Sequence, residues 1–85
     1  MTSENTPIAD ITLYWRPGCG FCASLKHQLD KRDLTYDAHN IWDEPEAAAF
    51  VRSVARGNET VPTLVVKGKA MVNPSIGDVV EALAG

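Results

Sequence analysis

Ile11-Thr12-Leu13-Tyr14-Trp15-Arg16-Pro17-Gly18-Cys19-Gly20-Phe21-Cys22 is the stretch whose reading decides the fold of this 85-residue chain. Its first five residues are β-branched, aliphatic or aromatic and read as a buried strand. Arg16-Pro17-Gly18 then breaks that strand and delivers the chain to Cys19. From Gly20 to Arg32 the apolar residues Phe21, Cys22, Leu25 and Leu29 recur at helical spacing, while Lys26, Asp30, Lys31 and Arg32 supply a wet face. The two cysteines therefore lie where a strand ends and a helix begins.

Outward from that unit, Thr35 to Ile41 is a second strand candidate. Asp43-Glu44-Pro45-Glu46 reads as a helix start, with an N-cap acid, proline in the first turn and glutamate at the capping-box position. The second helix is expected to run to about Arg56, its inner side formed by Ala47, Phe50, Val51, Val54 and Ala55, and to stop at Gly57-Asn58. Thr63 to Val66 and Ala70 to Val72, separated by Lys67-Gly68-Lys69, form a predicted hairpin. Ile76, Val79, Val80 and Leu83 make a third helical stripe, with Ser75 as N-cap and Asp78 three residues on. The order is β-α-β-α-β-β-α. A right-handed crossover sets the first two strands parallel. The expected fold is therefore α/β of the thioredoxin/glutaredoxin-like kind, a four-stranded mixed sheet flanked by three helices, occupying residues 10–85 behind a flexible N-terminal arm, residues 1–9.

Composition narrows the function classes. A chain this short buries only about 60 to 65% of the surface its unfolded form exposes, so the core must be thin. Eight Lys and Arg against eleven Asp and Glu give a net charge of −3, with the basic residues scattered. A nucleic-acid partner is not expected, because phosphates reward clustered positive charge. The start of the chain is polar and acidic, and apolar runs are short, so neither a signal peptide nor a membrane span is expected. A cytoplasmic location follows by default, and with no broad exposed apolar stripe the chain is expected to be a monomer.

Cys19-Gly20-Phe21-Cys22 places two sulfurs on one face of a first helical turn, where they can close a small disulfide. The unpaired backbone N–H groups there favour negative charge, and a thiolate is negative charge. A free cysteine, with a pKa of about 8.5, is only a few per cent ionised at neutral pH; Cys-x-x-Cys pairs at helix N-termini ionise far more readily. Cys19 is the expected attacking thiolate, and Cys22, deeper and on the apolar side, the resolving thiol. Arg16 adds positive charge near the thiolate or near a substrate carboxylate, or else is a solvated surface arginine. A structural zinc site lacks ligands at suitable spacing, since only His27 and His39 follow the cysteines. A purely structural disulfide across so short a loop constrains little unfolded-chain entropy. Thr60-Val61-Pro62-Thr63 is the second constellation: a cis Val61-Pro62 bond beside the cysteines would expose the Val61 backbone to a bound peptide-like thiol.

With Leu13 to Cys22 followed about forty residues later by Thr60-Val61-Pro62, the chain resembles the glutaredoxin family over nearly its whole length from Ile11. The resemblance implies a thiol-disulfide oxidoreductase in which Cys19 is the nucleophile, Cys22 the second cysteine of a redox disulfide, Arg16 the family's common basic residue and Val61, before Pro62, the backbone contact to the bound thiol. Phe21 takes the aromatic position beside the groove. Glutathione-dependent members carry a Gly-Gly pair and an acidic residue after the fourth strand; here that place reads Asn73-Pro74-Ser75. With Cys-Gly-Phe-Cys, the Ala47 to Val51 run and Gly57 to Thr63, the chain looks like the mycoredoxin branch, which serves bacteria that use mycothiol, a thiol with a sugar portion and no γ-glutamyl end. The resemblance makes Asn73 and Ser75 the residues expected to meet that sugar portion, the alternative for Ser75 being that it simply caps the third helix.

The resemblance implies mycothiolated proteins as substrates, mycothiol as reducing co-substrate, an NADPH-dependent mycothiol disulfide reductase to recycle it, and no metal or tightly bound cofactor. Two alternatives remain open. One is a dithiol redoxin fed by a thioredoxin reductase, of the kind that serves ribonucleotide reductase; the tryptophan-containing segment usual near its cis proline is missing here. The other is an iron-sulfur cluster carrier built on Cys19.

Overall fold

A computed structural model describes residues 10–84; the expected N-terminal arm lies outside the described residues. The elements are β1 (Ile11–Trp15), α1 (Gly20–Lys31), β2 (Asp37–Asn40), α2 (Pro45–Val54), β3 (Thr63–Val66), β4 (Lys69–Val72) and α3 (Ile76–Ala84). They form one four-stranded sheet in the order β2-β1-β3-β4. The fold is the expected thioredoxin/glutaredoxin-like one. β1 pairs parallel with β2, Tyr14 opposite His39 and Trp15 opposite Asn40. It pairs antiparallel with β3, Leu13 opposite Leu64, and β3 pairs antiparallel with β4.

The two-residue period of the strands splits the core in two. Ile11, Leu13, Leu64 and Val66 face one side and pack with Leu25 and Leu29 of α1 and Val79 of α3. On the other side Tyr14 and Val61 meet Ile41 and the Ala47, Ala48, Val51 and Ala55 stripe on and just beyond α2. The sheet is thus a filling between α1 and α3 on one face and α2 on the other. None of the helices among the described residues is long and apolar enough to cross a membrane.

Element ends depart from the sequence reading in physically specific ways. α1 stops one residue early, at Lys31, in a Schellman turn: Leu34 N–H donates to the Leu29 carbonyl at 3.0 Å and Asp33 N–H to that of Asp30 at 3.1 Å. Asp33 supplies the positive φ of 55° that glycine usually supplies. α2 ends at Val54, two residues before the expected Arg56. Arg56, with φ 58°, makes the left-handed turn, and Gly57 N–H reaches back to the Arg52 carbonyl at 2.8 Å.

At the other end of α2 the N-cap is Glu44, without a side-chain cap bond, in place of the expected Asp43. Asp43 instead accepts from Asn40 Nδ2 at 3.2 Å, and Glu44 pairs with His39 Nδ1 at 2.9 Å. The second strand is shorter than the expected Thr35 to Ile41, because regular pairing to β1 begins only at Asp37; Ile41 adds one further bond to Trp15. The hairpin loop is two residues, not three. Lys67 and Gly68 carry φ of 49° and 84°, the left-handed pair of a tight turn matching strand twist, so β4 begins at Lys69. The expected cap of α3 is present and reciprocal: Asp78 N–H donates to Ser75 Oγ at 3.1 Å and Ser75 N–H to Asp78 Oδ2 at 3.0 Å.

Candidate active site

β1 ends at Trp15, and Gly18, with φ 79°, turns the chain back toward the sheet, a backbone conformation that a side chain resists. Cys19 follows as the N-cap residue of α1, its backbone extended at φ −92°, ψ 107°. Ser, Thr, Asp and Asn prefer this position because their side-chain oxygens accept from a free N–H of the first turn. Here sulfur does so: Cys19 Sγ accepts from Cys22 N–H at 3.2 Å. The nucleophile expected from sequence is thus bonded directly to the helix N-terminus, where partial positive charge favours an anion.

Cys22 lies three residues on, at the start of the buried stripe it shares with Leu25 and Leu29, and is 1% exposed against a partly exposed Cys19. Both are free thiols. The Cys22 thiol is pushed up to about 12, first by burial and then by donating its hydrogen bond to Cys19, whose negative charge opposes a second one. A hydrogen bond from the Arg16 backbone N–H and the nearby Lys26 charge work weakly the other way. Cys19 is therefore the accessible sulfur and Cys22 the one that keeps its proton.

The Val61-Pro62 bond is cis, as expected, and the Val61 carbonyl lies 3.8 Å from Cys19 Sγ. Thr63 Oγ1 holds the turn by donating to the Thr60 carbonyl at 2.7 Å, and Pro62 is fully buried. The Pro62 carbonyl in turn accepts from Asn73 N–H at 2.8 Å. One chain of contacts thus links Cys19, Val61, Pro62 and Asn73. Ser75 is different: its hydroxyl and N–H are engaged with Asp78 in the α3 cap, so the sugar contact expected of it has a structural competitor. Phe21 is 75% exposed on the first turn of α1, as a residue flanking an open groove would be.

Arg16 is half-buried. Its Nη1 donates to the Pro17 carbonyl at 3.3 Å, and its guanidinium carbon lies 5.8 Å from the centroid of the Trp42 ring. Trp42 is 63% exposed. Trp15 is covered by Lys26, whose Nζ sits 3.4 Å from its ring centroid. His39, its side chain 38% exposed, pairs with Glu44 and stacks on Tyr14 at 5.6 Å between centroids. Two cavities, about 470 Å³ between the hairpin and α3 and about 530 Å³ between Arg32, Leu34 and the end of α3, are lined by neither cysteine. The candidate site is a surface site that offers a partly exposed free thiol, Cys19, beside the Val61 carbonyl.

Comparison with known proteins agrees with this geometry. The Glutaredoxin family model matches residues 11–71. A Mycobacterium tuberculosis protein described as "Putative glutaredoxin Rv3198A" is 40% identical over 72 residues, 84% of this chain and 86% of that one. "Mycoredoxin 1" of Corynebacterium glutamicum is 35% identical over 81 residues, 91% of this chain and all of that one. The crystal structure of a glutaredoxin from Archaeoglobus fulgidus superposes with a TM-score of 0.74 at 18% identity, covering 91% of this chain and 88% of that one, a likeness of fold. A family match that spans the strand-Cys-x-x-Cys-helix unit and the cis-proline turn, together with relatives of matching length, places this chain in the glutaredoxin family.

Proposed function

We propose that this protein reduces mixed disulfides between protein cysteines and mycothiol by a monothiol route with Cys19 as the nucleophile. The Cys19 thiolate attacks the mycothiol sulfur of the mixed disulfide. That S–S bond breaks, the protein leaves as its thiolate and takes a proton, and Cys19 is left disulfide-bonded to mycothiol. A second mycothiol thiolate attacks the mycothiol sulfur of that bond, which regenerates Cys19 and releases mycothiol disulfide. The incoming mycothiol is the reductant: its sulfur is oxidised as the protein's sulfur is reduced, while the mycothiol carried over from the substrate stays at the disulfide level throughout. An NADPH-dependent mycothiol disulfide reductase returns the disulfide to thiol. The reading takes the protein as a cytoplasmic monomer with mycothiolated proteins as partners and no tightly bound cofactor. Beside Cys19, the Val61 backbone, Asn73, Phe21 and Arg16 line the approach of the bound thiol.

The observation that carries this reading is the asymmetry of the two cysteines. A thiol held at about 12 is ionised in about one molecule in 10⁵ at pH 7, so Cys22 is a poor internal attacker. Once Cys19 is locked in a mixed disulfide its charge and its acceptor role weaken, but burial, the largest cause, stays. An external thiol then resolves the intermediate faster than Cys22 does. The resemblance to mycoredoxin 1 supports mycothiol as that thiol.

The test compares wild type with Cys22→Ser, following release of mycothiol or glutathione from one model protein, with the matching free thiol as reductant. Cys22→Ser is expected to remain active and to prefer mycothiol about tenfold, or about 1.4 kcal/mol of transition-state binding. Activity confined to wild type, without preference between the thiols and driven by a thioredoxin reductase, overturns the reading in favour of a dithiol redoxin.

A further inference from the structure

We propose that Trp42 is a binding residue for the ring portion of the mycothiol co-substrate, a stacking platform that sets the preference for a sugar-bearing thiol; this rests on the reading above. The first observation is placement. β1 and β2 are parallel, with Trp15 opposite Asn40 and Ile41 N–H donating to the Trp15 carbonyl at 2.9 Å, so their carboxyl ends lie side by side. Ligands of open α/β sheets bind outside the carboxyl ends of the strands. The loop after β1 carries Cys19, and the turn after β2 carries Trp42.

The second observation is that the backbone of the turn carrying this exposed ring is pinned. Trp42 N–H donates to Asn40 Oδ1 at 2.9 Å, Asn40 Nδ2 donates to Asp43 Oδ2 at 3.2 Å, and the N–H groups of Asp43 and Glu44 both return to the Asn40 carbonyl at 3.1 Å. An indole left 63% exposed on a pinned turn has its apolar surface ready, with little ordering still to be lost on binding. The third is Arg16, whose guanidinium lies over the indole and joins the segment leading into Cys19 to the turn after β2.

An aromatic face beside fixed hydrogen-bond donors suits a ligand with an apolar face and polar edges. A hydroxylated six-membered ring has that shape: its axial C–H bonds stack on indole while its hydroxyls accept from a guanidinium. A linear peptide thiol such as glutathione presents carboxylates and amides but no ring. Ser75, one of the two residues expected from sequence to meet the sugar, has its hydroxyl oxygen accepting the Asp78 N–H in the α3 cap.

The test uses two small mixed disulfides of 2-mercaptoethanol, one with mycothiol and one with glutathione, and compares kcat/KM for wild type, Trp42→Ala and Trp42→Phe. Trp42→Ala is expected to lose about tenfold on the mycothiol compound, mostly through KM, and less than twofold on the glutathione compound. Trp42→Phe, which keeps an aromatic face, is expected to retain most of the activity. A wild type that prefers mycothiol together with a Trp42→Ala that keeps the same preference overturns this inference alone. A wild type without preference overturns the functional reading and this inference with it. An effect seen only with a mycothiolated protein, and not with the small disulfide, assigns Trp42 to protein contact and likewise overturns the proposal.

Discussion

Cys19 is the proposed nucleophile and also the N-cap of α1, and the two roles separate on substitution. Its sulfur accepts from Cys22 N–H at 3.2 Å, the only side-chain cap bond that the structure gives this helix. Serine keeps an acceptor on the same atom and ranks among the best N-caps, whereas alanine leaves the N–H without a partner, at a cost of about 0.5–2 kcal/mol. Both substitutions remove the thiolate and are expected to abolish turnover. Only Cys19→Ala is expected to destabilise the fold, by about 1 kcal/mol relative to Cys19→Ser. A domain of this length holds roughly 4–13 kcal/mol in all, and 1 kcal/mol moves Tm by about 4–8 °C. Urea unfolding of the two variants at pH 7, under reducing conditions, reads the difference as a shift in midpoint at constant m-value. Equal midpoints, within about 0.3 kcal/mol, would refute the claim that the reactive sulfur also caps the helix.

Three further outcomes follow from particular contacts. Burial raises the Cys22 thiol above its ordinary value of 9.0 to about 12, so the native state holds this proton more tightly than the unfolded chain. The stability it lends is complete below pH 9 and is lost as pH rises toward 12, by roughly 1 kcal/mol per pH unit; the alkaline limb of wild type should fall more steeply than that of Cys22→Ser when both are unfolded by urea. Arg56 holds φ 58° at the exposed C-terminal turn of α2, so Arg56→Gly is expected to stabilise by about 0.5–1 kcal/mol, seen as a raised Tm. Asp78 is held below its ordinary carboxyl value chiefly by the Ser75 backbone N–H, with the Ser75 hydroxyl and Lys69 adding to the effect. Its contribution is present above that value and lost as pH falls through the lowered one, so Asp78→Ala should be less stable than wild type at pH 7 and converge with it in acid, as followed by circular dichroism.

The parts of the fold legible in sequence are those where local pattern and tertiary environment ask for the same thing. The run from Ile11 to Cys22 is such a part: a strand, a breaker and a helix start each carry their own signal, and Cys22 falls on the buried stripe that Leu25 and Leu29 continue. The Ser75–Asp78 cap is another, because both partners sit within one helical turn. Sequence misled where a neighbour outside the element claimed a residue that the local pattern assigned to it. Asp43 looks like the cap of α2, but Asn40 draws it away and His39 engages Glu44. Thr35 and Tyr36 look like strand, but β2 is an edge strand paired only with β1, and the register starts at Asp37. Glycine is the expected left-handed residue after α2, yet Arg56 takes that turn first. Trp42 gave no signal beyond being aromatic, since its exposure and its approach to Arg16 depend on how two loops from separate strands come together.

The contrast between the two thiols follows from helix arithmetic more than from any dedicated machinery. A residue at the N-cap stands outside the first turn, beside unpaired N–H groups and open to solvent. A residue three positions later has rotated nearly a full turn and, in a helix that buries positions 22, 25 and 29, falls into the core. One sulfur is thereby placed where an anion is welcome and the other where it is not. Moving the second cysteine by one residue would swing it about 100° around the helix, off the buried stripe, and remove the burial that holds its proton. Cys-x-x-Cys at this joint thus sets which sulfur is the more accessible, and the depth of α1 in the core sets how firmly the second one holds its proton. In this chain α1 lies against Ile11, Leu13 and Val79, which are all nearly inaccessible, so the second sulfur is kept dry and protonated. On the proposed monothiol route, a thiol arriving from solvent is then the better partner for a mixed disulfide on Cys19.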